Sequence, residues 1–427
     1  IERFLKRGLL LVDWFSISAI ILDNRKKFDS KEIFMRSSDQ STRDLVRTIN
    51  GAGWDYSKTR HPYFEIERPK GPYYCIYNRR HMAVCFDDHS TEEGYWWLRC
   101  QVAVLHTGEL PIQFEGPDAE KLLNKLFTKN FTKVKEMRCG YGLACYEDGG
   151  LIVDGIVLRL AKDKFWYAQA DGDFYSWARA HASGLDVKIS DPDVFVSQVQ
   201  GPNAMKVLAL ACDNGMPENF GYFAVSRVSL GGQEVVISRT GYTNELGWEF
   251  YTEPHHDPYA LWNHLADAGK NYGMEIFGLD AMNIRRIEAG ILNAGSDFNH
   301  TTNPFEVGLG CFVDMSKENF IGKSALLNAS RGLRHFGIKC ISGEPMISGA
   351  VNKNGEYIGI VTAGAISPYL KHGIGYVLLE RSGFNFDEEI EIKCRDGSMH
   401  AANLVELPFY DKLAEIPRGK RVDIPKK

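Results

Sequence analysis

Apolar and polar positions run through the same order twice along the chain. Gln113-Phe-Glu-Gly-Pro-Asp-Ala-Glu-Lys-Leu-Leu123 and Gln198-Val-Gln-Gly-Pro-Asn-Ala-Met-Lys-Val-Leu208 are one phrase used in two places. Each reads as a strand that ends at Gly, a Pro suited to the first turn of a helix, and an amphipathic helix with apolar residues at i, i+1 and i+4. A Gly-Gly hairpin turn follows each helix, at Gly149-Gly150 and at Gly231-Gly232. Each hairpin leads to an aromatic strand, Phe165-Trp-Tyr-Ala-Gln-Ala170 or Gly247-Trp-Glu-Phe-Tyr-Thr252, and then to a helix. The pattern predicts an α+β fold in which two repeated α/β units, about 72–190 and 191–320, face each other across a central cleft, the usual place for a small-molecule site. After Phe320-Ile-Gly-Lys-Ser-Ala-Leu326 the spacing changes to short strands punctuated by Gly-Glu-Pro, Lys-Asn-Gly and Arg-Asp-Gly turns. That spacing predicts a small β-barrel over 321–427.

The first 34 residues stand apart from this pattern. Leu9 to Leu22 is apolar except for Asp13, and lies between Lys6-Arg7 and Arg25-Lys-Lys27. It is shorter than the roughly 20 apolar residues a spanning helix needs, and Ile21-Leu-Asp-Asn is not a signal-peptidase pattern. The segment reads either as an extension ahead of a natural start at Met35 or as a peripheral helix. Composition then narrows the partners. A length of 427 residues suits two or three domains, and a net charge of −5 offers no general attraction to nucleic acid or to an anionic membrane. Nine cysteines without a C-x-x-C pair or C/H ligand spacing suggest reduced thiols, no metal site and a cytoplasmic setting.

The chemistry concentrates in three segments. In Glu147-Asp-Gly-Gly-Leu-Ile-Val-Asp-Gly-Ile-Val-Leu-Arg-Leu160, Asp154 sits inside a strand-like apolar run just past a glycine turn. Such an acid either faces solvent on a half-buried strand or has a partner and a task. Further on come Arg239-Thr-Gly-Tyr-Thr-Asn-Glu-Leu-Gly-Trp-Glu-Phe-Tyr251 and Arg286-Ile-Glu-Ala-Gly-Ile-Leu-Asn-Ala-Gly-Ser-Asp-Phe-Asn-His-Thr-Thr-Asn-Pro-Phe-Glu306. No G-x-G-x-x-G opens a helix, since Gly51-Ala-Gly53 lacks the third glycine and a preceding strand, so dinucleotide-binding dehydrogenases are disfavoured. In this order the three segments resemble the folate-binding core of the glycine cleavage T-protein (aminomethyltransferase) superfamily. Ile358-Gly-Ile-Val-Thr-Ala-Gly-Ala-Ile-Ser-Pro368 and Gly373-Ile-Gly-Tyr-Val377 resemble its C-terminal barrel. The resemblance runs from about Pro72 to Tyr410.

The resemblance implies tetrahydrofolate as cofactor, bound within 35–320. It places Glu249 at the pterin, whose adjacent N–H donors suit a carboxylate. It makes Asp154 the catalytic carboxylate beside N5, adds Arg239, Arg286 and Tyr242 as folate-binding residues, and sets Tyr77, Asn78 and Tyr251 on the substrate side. Glu306 is expected either at the site or at the domain junction.

Departures from the aminomethyltransferase pattern shape the expected donor. Gly278-Leu-Asp-Ala-Met-Asn283 carries Met282 where the family has a functional arginine, and Gln169-Ala-Asp-Gly-Asp173 is similar to the tetrahydrofolate-dependent dimethylsulfoniopropionate demethylases. An early Asp-x-Ser motif becomes His106-Thr-Gly108. These differences favour methyl transfer from a small methylated donor, its cation held against Tyr77, Tyr242 or Tyr251, or against Trp248, which strand alternation assigns rather to the core. The alternative is a true aminomethyltransferase. A third reading, a non-catalytic folate-binding factor of iron–sulfur maturation, expects a Lys-Gly-Cys-Tyr segment where this chain has Glu318-Asn-Phe-Ile-Gly-Lys323.

Overall fold

The computed structural model describes residues 60–425. Leu9 to Leu22, Met35 and Gly51-Ala-Gly53 lie outside the described residues. The duplication is explicit in the strand pairing. In the first copy the leading strand Leu110–Glu115 and the helix Ala119–Leu126 precede the hairpin Arg138–Cys145 and Leu151–Ala161, the aromatic strand Lys164–Gln169 and the helix Phe174–Ala180. The second copy repeats this with Phe195–Gln200, Ala204–Ala211, Val225–Leu230 and Gln233–Ser238, Gly247–Thr252, and Pro258–Gly269. In both, the aromatic strand returns beside the leading strand, which gives two antiparallel sheets of the same order. The sheets differ at the far edge. Lys188–Ser190 closes the first, whereas Val102–His106 and the parallel Met274–Ile276 extend the second.

Period-2 alternation explains how each sheet is covered. Ile112, Phe114, Val153, Val157, Phe165 and Tyr167 of the first sheet face its two helices. Val199, Val235, Ile237, Trp248 and Phe250 of the second do the same, and burying a Phe completely stabilises by roughly 1.5–3 kcal/mol. The opposite faces meet each other, Leu158, Leu160 and Trp166 packing with Val196, Val236 and Tyr251. Trp248 is therefore core, with its indole N–H donated to the Ala204 carbonyl at 3.0 Å, and offers no ring face to a ligand.

The two Gly-Pro phrases differ from expectation in one respect. Each Pro precedes its helix, which starts two residues later at Ala119 or Ala204 after the N-caps Asp118 and Asn203. The reason is the glycine. Gly116 and Gly201 adopt φ of +138° and +128°, and each carbonyl accepts the N–H three residues on at 3.0 Å, closing a turn that holds the Pro. A Cβ on Gly201 would lie 2.5 Å from the Gln101 carbonyl oxygen. Gly201→Ala is expected to destabilise the fold by about 1–3 kcal/mol, read as a lower urea midpoint. An unchanged midpoint would show that the loop relaxes freely.

The C-terminal region forms a closed six-stranded barrel in the order His335–Cys340, His372–Leu379, Glu356–Ser367, Ala350–Lys353, Glu389–Lys393 and Met399–Val405. Phe336, Ile338, Val361, Ile390 and Leu404 fill it. Ala363, Ala365, Ile374 and Tyr376 turn outward into a second core around the helix Leu279–Glu288. Within that core Glu245 receives Arg99 at 2.5 Å and Arg285 at 2.7 Å, all three side chains fully buried. Glu288 takes the hydroxyls of Tyr95, Ser367 and Tyr410, so barrel, tail and folding units share one charged centre. Glu306 resolves as a junction residue. Its carboxylate accepts the Asn303 N–H at 3.0 Å and faces Arg334 at 3.6 Å, just ahead of the first barrel strand.

Candidate active site

Asp154 lies on the second strand of the first hairpin, opposite Leu143. It is only 8% exposed. The Tyr141 hydroxyl donates to Oδ2 at 2.7 Å. Burial pushes its carboxyl up to about 6, against the hydrogen bond from Tyr141, which favours the ionised form. A buried strand acid with one short hydrogen bond is not a solvated-face residue.

Glu249 comes from the other copy, on the aromatic strand. Its Oε2 collects the hydroxyls of Thr240 at 2.5 Å, Ser238 at 3.4 Å and Tyr251 at 3.4 Å, while among the described residues no hydrogen bond reaches Oε1. Burial raises its proton affinity. Tyr77 and Tyr242 are half-buried beside Asp154, which raises the affinity of both phenols for their protons after burial itself. Tyr242 is fixed by its hydroxyl on the Leu292 carbonyl at 2.6 Å and by its N–H on Gln198 at 3.0 Å.

Other expected site residues have different places. Arg239 stands between Ser238 and Thr240, whose hydroxyls both turn to Glu249, so alternation sends its guanidinium the other way. There it donates to the carbonyls of Phe220 at 3.1 Å and Pro417 at 2.9 Å, beside a cavity of about 30 Å³ that suits water rather than folate. Arg286 is paired with buried Asp297 and bonded to Asn283 at 2.9 Å. Its charge adjoins Tyr242, which makes it a support of the site wall. Asn78 is a staple. Its amide donates to the Gly108 and Gln169 carbonyls and accepts from the Gln169 side chain and the Gly172 N–H, leaving nothing for a substrate. The expected ring face of Tyr251 is also corrected. The ring is fully buried, 5.7 Å from Trp166, and only its hydroxyl serves the site.

Sequence reasoning missed Glu109, Tyr141 and Gln198. Glu109 follows the altered His106-Thr-Gly108 run, so the departure itself marked the spot. His106 points to the outer face, stacked on Tyr63 at 4.3 Å, and Glu109 is the group that enters the site. Its Oε2 accepts the Thr107 hydroxyl at 2.7 Å. Beside Tyr77's partner Asp171, a cavity of about 500 Å³ opens between Ile152, Val153, Asp171, Asp173 and Trp177. Among the described residues Glu253, His255 and His256 group as metal ligands would. Both ring nitrogens of His256 are already bonded, to the Glu253 N–H and the Glu234 carbonyl, so the group is a structural one.

Residues 70–317 match the GCVT N-terminal domain and residues 334–411 the glycine cleavage T-protein C-terminal barrel domain. The chain belongs to the glycine cleavage T-protein family. An aminomethyltransferase of Halothermothrix orenii is 33% identical over 359 residues, 82% of this chain and 99% of the relative. Another, of Clostridium botulinum strain 657, is 35% identical over 322 residues, 72% and 85% of the respective chains. The crystal structure of the glycine cleavage system aminomethyltransferase T of Bartonella henselae superposes with a TM-score of 0.75 at 24% identity, covering 83% of this chain and 99% of that one, and shares the fold. Within the family, Met282 lies in the second core, 5% exposed, 4.0 Å from the Gln198 amide.

Proposed function

We propose that the chain is a tetrahydrofolate-dependent one-carbon transferase of the aminomethyltransferase type, working in the cytoplasm. The observation that carries this reading is that Asp154 and Glu249, one from each repeated unit, are both buried, both adjoin Glu109, and each keeps an oxygen without a side-chain partner among the described residues. Buried carboxyls in that state suit a ligand rich in N–H donors, and a reduced pterin is one. When bound, tetrahydrofolate supplies a nucleophilic ring nitrogen that accepts the one-carbon unit. Glu249, oriented by Thr240 and Ser238, would hold the pterin edge by accepting its N–H donors. Asp154, ionised above its raised titration point and aimed by Tyr141, would take or balance the proton released at the accepting nitrogen. Tyr77 and Tyr242 wall the site against water. Of the four candidate rings only Tyr77 and Tyr242 remain at the site, and the matched relatives are named aminomethyltransferases, so their names support the aminomethyl donor above a methylated cation. They also favour an enzyme over a non-catalytic folate-binding factor.

Met282 supports a second reading, transfer from a small methylated donor, because it removes the family arginine. The two readings are separated by product. An aminomethyl donor carried on a lipoyl arm should give methylenetetrahydrofolate and ammonia, whereas sulfonium or ammonium donors would give 5-methyltetrahydrofolate. Product only from the second set would reverse the order. Glu249→Ala should weaken tetrahydrofolate binding by roughly 1.5–3 kcal/mol in calorimetry. Unchanged affinity would remove Glu249 from the site.

A further inference from the structure

Two thiols meet inside the C-terminal barrel. Cys340 ends the strand His335–Cys340, and Cys394 directly follows Glu389–Lys393, so the two flank Met399–Val405, with which both strands pair. They pack in the barrel core with Phe336, Ile338 and Ile392, neither has any exposed surface, and their sulfurs lie 3.9 Å apart. Among the described residues, which include all nine cysteines, no other hydrogen bond joins two sulfurs.

Both backbones are held, so the fold itself sets this approach. Cys340 is paired with Gly373. Cys394 bridges Pro345 and donates its N–H to the Ser398 carbonyl at 2.9 Å, and Arg395 beside it donates its N–H to the Glu344 carbonyl at 2.9 Å. A disulfide draws its sulfurs to about 2.05 Å, a change that rotation of the two side chains supplies. Access comes through one residue. A Cβ on Gly343 would lie 2.7 Å from the Cys394 sulfur, and Ile341 and Ser342 just ahead of it are exposed. Cys394 thus lies directly beneath a backbone that carries no side chain at that point, and a small oxidant needs only a local opening to reach it. Burial, and then the neighbouring Cys340, push the Cys394 thiol above its ordinary range. Because the thiolate is the nucleophile, the reaction is slow and answers sustained rather than brief exposure.

We propose that Cys340 and Cys394 form an oxidation site at which a peroxide closes a disulfide that staples the barrel. The Cys394 thiolate attacks a peroxide oxygen, the O–O bond breaks, and a sulfenic acid and one water result. The Cys340 thiolate then attacks that sulfur, the S–S bond forms, and the S–O bond breaks to release a second water. The sulfurs give up two electrons to the peroxide, and both thiol protons end in the waters. The bond joins positions 54 residues apart and restrains the unfolded chain, which favours the folded barrel. None of this depends on the folate reading.

The test uses the full chain, reduced, freed of reductant and treated in its native state with hydrogen peroxide. Remaining thiols are alkylated in denaturant, and the protein is digested without reduction for mass spectrometry. The peptides carrying Cys340 and Cys394 should appear as one linked species, lighter than their sum by the lost hydrogens and split by dithiothreitol. Exposed Cys311 reports that the oxidant has acted. Oxidised protein should melt about 5 °C or more above the reduced form, and reduction in denaturant followed by refolding should reverse the rise. Cys340→Ala should abolish both the linked species and the rise. If that variant misfolds, the wild-type comparison decides without it. Cys340 and Cys394 recovered as free thiols after Cys311 is oxidised, or Cys394 linked to another cysteine, overturns the proposal. A linked pair with no rise in melting temperature overturns the staple.

Discussion

Asp154→Asn is expected to lower turnover by about 10²-fold or more while changing tetrahydrofolate affinity far less. The amide keeps the size of the carboxyl and a bond to Tyr141, so the loss isolates the charge. A stability measurement gives the complementary result. Burial raises the folded-state value of Asp154 from 3.8 to about 6. Its contribution to stability is present below the unfolded value and is lost as pH rises through about 6. At neutral pH the ionised side chain is therefore a strain on the fold, and the neutral Asn should melt at a higher temperature. For the same reason wild-type turnover should climb as pH passes through about 6. A variant that is less active and more stable carries the signature of a residue kept for chemistry. Near-normal turnover would remove Asp154 from the reaction.

Glu245→Ala should give the largest loss of stability, about 3–5 kcal/mol, because it strands two fully buried guanidinium groups. Arg99 would keep Asp423 at 3.8 Å and ring contacts with Tyr369 and Tyr410, and Arg285 would keep Glu288 at 3.6 Å. Neither replaces a fully buried carboxylate within 2.7 Å of both arginines. Glu245→Gln, which still accepts a hydrogen bond, should recover part of the loss. Urea unfolding followed by tryptophan fluorescence measures both. A shift under about 0.5 kcal/mol would mean that water or rearrangement compensates the arginines.

The repeat was legible because it is local. Gly-Pro turns, Gly-Gly hairpins and alternating strands are written within windows of about ten residues. Asp154 and Glu249 were legible for a related reason, each being a charge in an otherwise apolar strand. Arg239 and Arg286 were misplaced because a guanidinium at a motif's end gives no sign of direction. Strand alternation turns Arg239 outward, and Asp297, a separate loop residue, captures Arg286. Asn78 misled in another way. Its left-handed turn, φ 49°, suits an Asn for backbone reasons, and neighbouring strands then saturate the amide. Glu109 enters the site only when strands far apart in sequence are laid side by side, and no short window contains that information.

The clasp between Arg239 and the Pro417 carbonyl joins positions 178 residues apart, and Arg99 reaches still further along the chain to Asp423. A ribosome adds about 5–20 residues each second, so the first of these contacts waits on the order of 10–40 s after Arg239 is made. During that interval each cation holds only the earlier part of its final set, Arg239 the Phe220 carbonyl and Arg99, once it is made, the Glu245 carboxylate. The C-terminal tail thus makes the last bonds of these two arginines, and both cations stay partly unsatisfied until it has been synthesised.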